Sequence, residues 1–214
     1  MRVARPLALN SAPEGSAQKE QTWHHPGGKL VDLGPHTLKQ DELLAILIGS
    51  GVAGRSALVI ANSILDEYVG LYGIHRTATI DDLAKIAGLG RKKASRILAA
   101  IELGRRLHKL TKLPQATAQS ENNLFPSVEP SAQTAIQPQG PTDAALLAEI
   151  IGSGIRGRPP YVIAEDLIKK FGSFFGLFGQ DMGKFLPIKG LNSVKIIRIA
   201  AAMEIAKRIS NAIS

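Results

Sequence analysis

The sequence predicts an all-α protein made of two similar helical units joined by a linker. Apolar residues recur at helical spacing in several segments, whereas no segment sustains the period-2 alternation of a strand. A set of short motifs also returns once, at a displacement of roughly 100 residues. Between the two occurrences lies a stretch punctuated by Leu113-Pro114, Phe125-Pro126, Glu129-Pro130, Gln137-Pro138 and Gly140-Pro141 among Gln, Ser, Thr and Asn, which cannot hold a helix or strand.

The elements are expected in the following order. Residues 1–28 are rich in Ser, Ala, Pro, Gly and Gln without a period and read as a disordered arm. His24 and His25 fall in that arm, with no further ligand nearby to make a metal site. Helical signals begin near Thr37, where Asp41 and Glu42 favour a helix start; Leu43, Leu44, Ile46, Leu47 and Ile48 then make a nearly all-round apolar helix that stops at Gly49-Ser50-Gly51. Ser56 is placed to cap a second helix from Ala57 to Glu67. After a break at Gly70 to Gly73, Thr79 with Asp81 and Asp82 opens a short helix to Ala87. Gly88-Leu89-Gly90 reverses the chain into a long helix reaching about Lys109, with Ala94, Ile97, Leu98 and Ile101 on its core face.

The second unit repeats this grammar. Leu43-Leu44-Ala45 returns as Leu146-Leu147-Ala148, Ile48-Gly49-Ser50-Gly51 as Ile151-Gly152-Ser153-Gly154, and Gly54-Arg55 as Gly157-Arg158. Gly88-Leu89 becomes Gly190-Leu191, and Glu102 with Arg105-Arg106 becomes Glu204 with Lys207-Arg208. The units are expected at 29–111 and 141–214, separated by the linker at 112–140. Phe171, Phe174, Phe175, Phe178 and Phe185 are expected to enlarge the second core, the alternative being a surface for a partner.

Composition narrows the function. The 214 residues carry a formal net charge of +8, which favours a polyanionic partner. Hydrophobic residues make up 44% and aromatics only 5%, so Ile, Leu, Val and Ala must fill the core. With no cysteine, thiolate metal sites and a Cys nucleophile are excluded. No apolar run approaches the roughly 18 to 20 residues of a membrane span, and the basic start lacks a signal-peptide core. The expectation is a soluble, cytoplasmic protein with no membrane association.

The motifs point away from catalysis. Gly49-Ser50-Gly51-Val52-Ala53-Gly54-Arg55-Ser56 comes within one residue of a phosphate-binding P-loop, but it joins two helices instead of following a buried strand. Pro159 at the equivalent of Ser56 would also lose the magnesium-binding hydroxyl. Arg55 and Arg158 stay as candidate phosphate contacts. His36, His75 and His108 show no ligand spacing, and no nucleophile elbow is present. The expectation is therefore no enzyme activity, no metal and no cofactor.

The hairpin carries the functional signal. Leu83, Ile86, Gly88, Leu89, Gly90, Ala94 and Ile97 fit the template hxxhxGhGxxxAxxI, where h is hydrophobic. This resembles the helix-hairpin-helix DNA-binding motif, and so implies two tandem helix-hairpin-helix bundles. A helix starting at the turn offers free N–H groups and a positive dipole end to an anion. The resemblance implies DNA binding through Gly88, Leu89, Gly90, Arg91, Lys92, Lys93 and Arg96, on phosphates and without base reading. In the second unit, Gly190, Asn192, Lys195 and Arg198 are the secondary DNA-binding candidates. Ser193, Val194 and Ile196 stand there in place of Arg91, Lys92 and Ala94, so that unit is expected to bind weakly or be structural.

Leu33-Gly34-Pro35, Leu38, Asp41 to Gly51 and Ala99 to Leu107 extend the likeness. Together these residues resemble the N-terminal helical domain of the RadC-type (UPF0758) family of DNA repair proteins. The family usually carries a JAB/MPN-type domain further on; here a degenerate second helical copy is expected in its place, and no activity of that domain is carried over. The resemblance implies a role in DNA repair. The competing reading, from a different class, is a helical scaffold or regulatory subunit that binds a protein partner or itself through the second copy.

Overall fold

The computed structural model describes residues 25–112 and 140–213. It is all-α, as the periodicity requires, with two isolated β-bridges, Val52 to Arg55 and Ile155 to Arg158, and no strand among the described residues. The expected linker apart from its end residues, Lys112 and Gly140, and most of the expected arm lie outside the described residues.

Helix α1, Pro26–Leu33, begins inside the segment read as an arm. Its Gly27 and Gly28 hid it from a propensity reading. Pro26 at its first position suits a helix start, and His25 Nδ1 accepts a hydrogen bond from the Gly28 N–H at 3.0 Å. Lys29 donates to both carboxylate oxygens of Glu42 at 2.9 Å, which ties α1 to helix α2, Gln40–Ile48. Glu42 also accepts from the Lys39 N–H at 2.7 Å. Burial pushes its carboxyl up; the Lys39 amide and the Lys29 ammonium outweigh that and hold it below the ordinary carboxylate range.

Helix α3, Ala57–Tyr68, starts where Ser56 predicted, its hydroxyl accepting from the Val59 N–H at 3.2 Å. The glycines read as a break instead frame helix α4, Leu71–Thr77. Gly73 sits within α4 because a Cβ there would lie 1.5 Å from the Tyr68 carbonyl oxygen. Sequence statistics count such a glycine against a helix, whereas here it answers a steric demand. Helix α5, Ile80–Lys85, is capped by Thr79, and helix α6 runs Gly90–Thr111.

The second half contains α7, Asp143–Ile151, α8, Pro160–Phe171, and α9, Ser193–Ile213. Two short 3₁₀ turns, Phe175–Leu177 and Met182–Phe185, stand where the first half has α4 and α5. Phe174 is fully buried and Phe185 nearly so, while Phe171, Phe175 and Phe178 pack against the same core. The phenylalanines thus fill volume, with the Phe174 ring edge-on to those of Phe175 and Phe178 at 5.3 and 5.2 Å.

The two halves form one continuous core. The most extensive helix contact is that of α6 with α9. At its centre a Cβ on Gly104 would lie 2.7 Å from the Ala206 carbonyl oxygen, so the helices meet nearly backbone to backbone. The His108 Nδ1 lies 3.2 Å from the Ser210 carbonyl oxygen further along. Helix α2 packs on α3, α6 and α9, and α7 on α6, α8 and α9. Being central explains why both are apolar almost all round.

Replacing Gly104 with Leu is expected to overpack this contact and cost about 1–3 kcal/mol. A urea titration would show the loss as a lower midpoint in a single transition for the whole chain. An unchanged midpoint would mean that α6 and α9 do not meet as described.

Candidate nucleic-acid interface

The hairpin between α5 and α6 is built by two glycines with different duties. Gly88, at φ +90°, lies where a Cβ would come within 2.8 Å of Ile60 Cδ1 and 2.9 Å of Val52 Cγ2. It lets the turn press against α3 and the loop before it. Gly90, at φ +64°, has nothing within 4 Å of a would-be Cβ, so the turn is open on that side. Between them Leu89 is 2% exposed and anchors the turn in the core. Burying such a side chain contributes about 1.5–3 kcal/mol, so Leu89 holds the cradle and offers a ligand no side chain.

No side chain caps the N-terminus of α6. Arg91 and Lys92 project from its first turn and are exposed. The Arg91 guanidinium pairs with Asp81, an exposed contact of the kind worth about 0–1 kcal/mol and easily exchanged. Lys92 has no ion-pair or hydrogen-bond partner among the described residues.

The other expected phosphate contacts are engaged internally. Lys93 donates to the carbonyls of Ser50 at 2.6 Å and Gly88 at 2.9 Å, closing the hairpin onto the end of α2. Arg55 donates to the Ala87 carbonyl at 3.1 Å and the Ser63 hydroxyl at 2.8 Å. Arg96 reaches the C-terminal ends of two helices, donating to Leu47 O of α2 at 2.7 Å and Glu149 O of α7 at 3.3 Å. Burial first, and the neighbouring Arg198 charge second, lower its pKa to about 10, with Glu149 opposing. Arg96 is thus placed as a brace between the halves.

The second hairpin differs where it matters. The Asn192 side chain accepts from the Lys195 N–H at 3.0 Å, so this turn caps its own helix. Lys195 is only 6% exposed and donates to Gly190 O at 2.7 Å, as Lys93 does to Gly88 O. Arg198 donates to Ile151 O at 2.9 Å, and burial lowers its pKa. Gly190, at φ +104°, lies where a Cβ would come within 2.5 Å of Ile163 Cδ1, the same tight seat as Gly88.

The Gly-rich loops behind the hairpins are built alike. Val52 and Arg55 exchange reciprocal backbone bonds at 2.9 and 3.0 Å, and Ile155 and Arg158 do so at 2.9 Å. A Cβ on Gly51 or Gly154 would lie 2.1 Å from the next turn's carbonyl oxygen. Each loop joins two helices, and Arg158 pairs with Asp166 within its own half. No group of three or more metal-ligating side chains gathers among the described residues. No single described helix is long and apolar enough to cross a membrane.

Two exposed cations escaped the motif-based reading, Arg156 and Lys189. Extending the repeat one residue back from Gly157 and Gly190 finds them, at the places of Ala53 and Ala87.

The fold and site together define an all-helical body with one open, glycine-built basic hairpin. Residues 19–95 match the UPF0758 N-terminal family. The chain is 43% identical to a UPF0758 protein of Geobacillus sp. (strain WCH70) over 86 residues, covering 40% of this chain and 38% of that protein. It is 41% identical to UPF0758 protein YsxA of Bacillus subtilis over 105 residues, 49% of this chain and 42% of the relative. It is 44% identical to a UPF0758 protein of Clostridium botulinum over 100 residues, 47% and 40% of the two chains. The chain thus spans about two-fifths of the length of these relatives. No solved structure matches it significantly.

Replacing Arg96 with Met keeps the apolar stem and removes both carbonyl bonds. The expected loss is about 1–3 kcal/mol of stability, read as a lower urea midpoint. A variant of unchanged midpoint that loses nucleic-acid affinity would instead return Arg96 to the binding surface.

Proposed function

We propose that this chain is a non-enzymatic, sequence-tolerant DNA-binding protein, and that it carries one helix-hairpin-helix unit twice. The observation that carries this reading is the open turn at Gly88 to Lys92. An anion approaching Gly90 meets the start of α6, where nothing lies within 4 Å of a would-be Cβ, with two exposed cations next in the chain. The N-terminal backbone amides and the helix dipole suit a phosphate oxygen, and the net charge of +8 suits a polyanion. Nothing in the turn is shaped to read a base edge, so affinity without sequence preference follows. The recurring loop, lysine and arginine contacts in the two halves support duplication of a single unit. A role in DNA repair follows from the family resemblance alone and is part of the same proposal.

Within this reading the contact set contracts. Gly88, Gly90, Arg91 and Lys92 face the ligand, while Leu89, Lys93 and Arg96 hold the turn in shape. Gly190, Asn192, Lys195 and Arg198 play that structural part in the second half.

Duplex affinity measured against salt concentration tests the proposal. Each phosphate contact removed lowers the slope by about 1, so Arg91→Ala with Lys92→Ala is expected to lower it by about 2. Gly90→Asn, which sets a side chain over the open turn at φ +64°, is expected to weaken binding several-fold with only a small drop in melting temperature, because Asn tolerates a left-handed backbone better than most side chains. Unchanged affinity in both variants would overturn the proposal.

A further inference from the structure

The second hairpin lost its first-turn cations, but its surroundings gained two. Ser193 and Val194 stand where the first half has Arg91 and Lys92. Arg156 and Lys189 stand where it has Ala53 and Ala87. All four of these cations are exposed, and Arg156 and Lys189 have no ion-pair or hydrogen-bond partner among the described residues. Lys189 directly precedes the hairpin glycine Gly190. Arg156 lies at the tip of the loop whose Ile155 side chain packs 3.7 Å from a would-be Cβ on that glycine. The charge has therefore moved sideways around the second hairpin.

Both hairpins also lie at the same end of the molecule. Equivalent residues of α6 and α9 meet one another: Gly104 meets Ala206, and His108 meets Ser210. A Cβ on Gly152 would lie 2.6 Å from Arg96 Nη2 and 3.4 Å from Arg198 Nη1, so these two also converge. Three matched pairs in register mean that α6 and α9 run in the same direction. From Arg96 back to Gly90 is roughly 9 Å of helix, and the same holds for α9. The two turns, with the loops of Val52 and Ile155 beside them, thus crown one end of the α6–α9 pair. The acids at this end include Asp81, held by Arg91, Asp166, held by Arg158, and Glu149, which accepts from Ser95 Oγ at 2.8 Å.

A pair of like helices packed in parallel relates the hairpins by an approximate two-fold axis along the helices. The two backbones of a duplex are likewise related by dyads perpendicular to its axis, and proteins of two-fold symmetry match that arrangement. A single strand offers one backbone and no such match.

Resting on the DNA-binding reading above, we propose that both hairpins grip one DNA duplex at once. The first meets one strand through Gly90, Arg91 and Lys92. The second meets the other strand through Arg156 and Lys189.

Three double or single variants of the full chain, titrated with a labelled duplex and with one of its strands, test this. Arg156→Ala with Lys189→Ala is expected to weaken duplex binding several-fold and lower its salt slope by about 2, with little change on the single strand. Lys92→Ala is expected to weaken both. Lys109→Ala with Lys112→Ala, which removes exposed charge at the far end of α6, is the control and is expected to leave duplex binding nearly unchanged. If Lys92→Ala weakens binding and the Arg156, Lys189 pair does not, the joint grip is overturned and the first hairpin stands. An equal loss on both substrates, or an equal loss from the control pair, also overturns it. If no variant changes affinity, the DNA-binding reading falls with it.

Discussion

The close parallel contact of α6 with α9 is the constraint on which the rest of the molecule depends. Gly104 allows the two backbones to approach until a single added carbon would collide with the Ala206 carbonyl. Once those helices are fixed, Arg96 and Arg198 fall beside the C-terminal ends of α2 and α7, where carbonyl groups lack helical partners. Burial costs both guanidinium groups charge stability and lowers the pKa of each, and for Arg96 the neighbouring Arg198 charge adds to that. The carbonyl bonds offset the cost. At the other end Arg106 reaches Asp143 in the first turn of α7, and Arg208 reaches the carbonyls of His36 and Leu38 on the approach to α2, so each half holds a helix start of the other.

This arrangement decides what the hairpins are free to do. In each, a lysine from the first turn of the following helix bonds back to the hairpin glycine carbonyl. That lysine stiffens the turn and is spent in doing so. What differs is the next layer outward. Gly90 leaves the helix start open, whereas Asn192 occupies the same place with its own amide and closes it. The backbone differs with the residue: Gly90 takes φ +64° as the first residue of α6, whereas Asn192 has no positive φ and stands just before α9.

Much of this was legible in the sequence, and the reasons for the rest are physical. The apolar runs of α2 and α7, the serine cap of α3 and the hairpin glycines announced themselves because periodicity and capping are local. Helices α1 and α4 did not, since Gly27, Gly28 and Gly73 lower helix propensity, and the steric demand that Gly73 meets comes from Tyr68 outside α4. The roles of Lys93 and Arg96 were hidden for a different reason. A basic residue beside a hairpin reads as a phosphate contact until the helix ends around it are known, and those ends come from residues 47 and 149. The union of the halves into one core was likewise out of reach, because it rests on contacts across some 100 positions of sequence.

The central claim is that the open turn at Gly88 to Lys92 is the edge that meets DNA. The most direct measurement is the change in backbone amide resonances of the ¹⁵N-labelled chain as duplex DNA is added. The account predicts that the amides of Gly90, Arg91 and Lys92 shift most, while those of the far ends of α6 and α9 hold still. Shifts centred on the phenylalanine-rich turns, with the Gly90 amide unmoved, would contradict it.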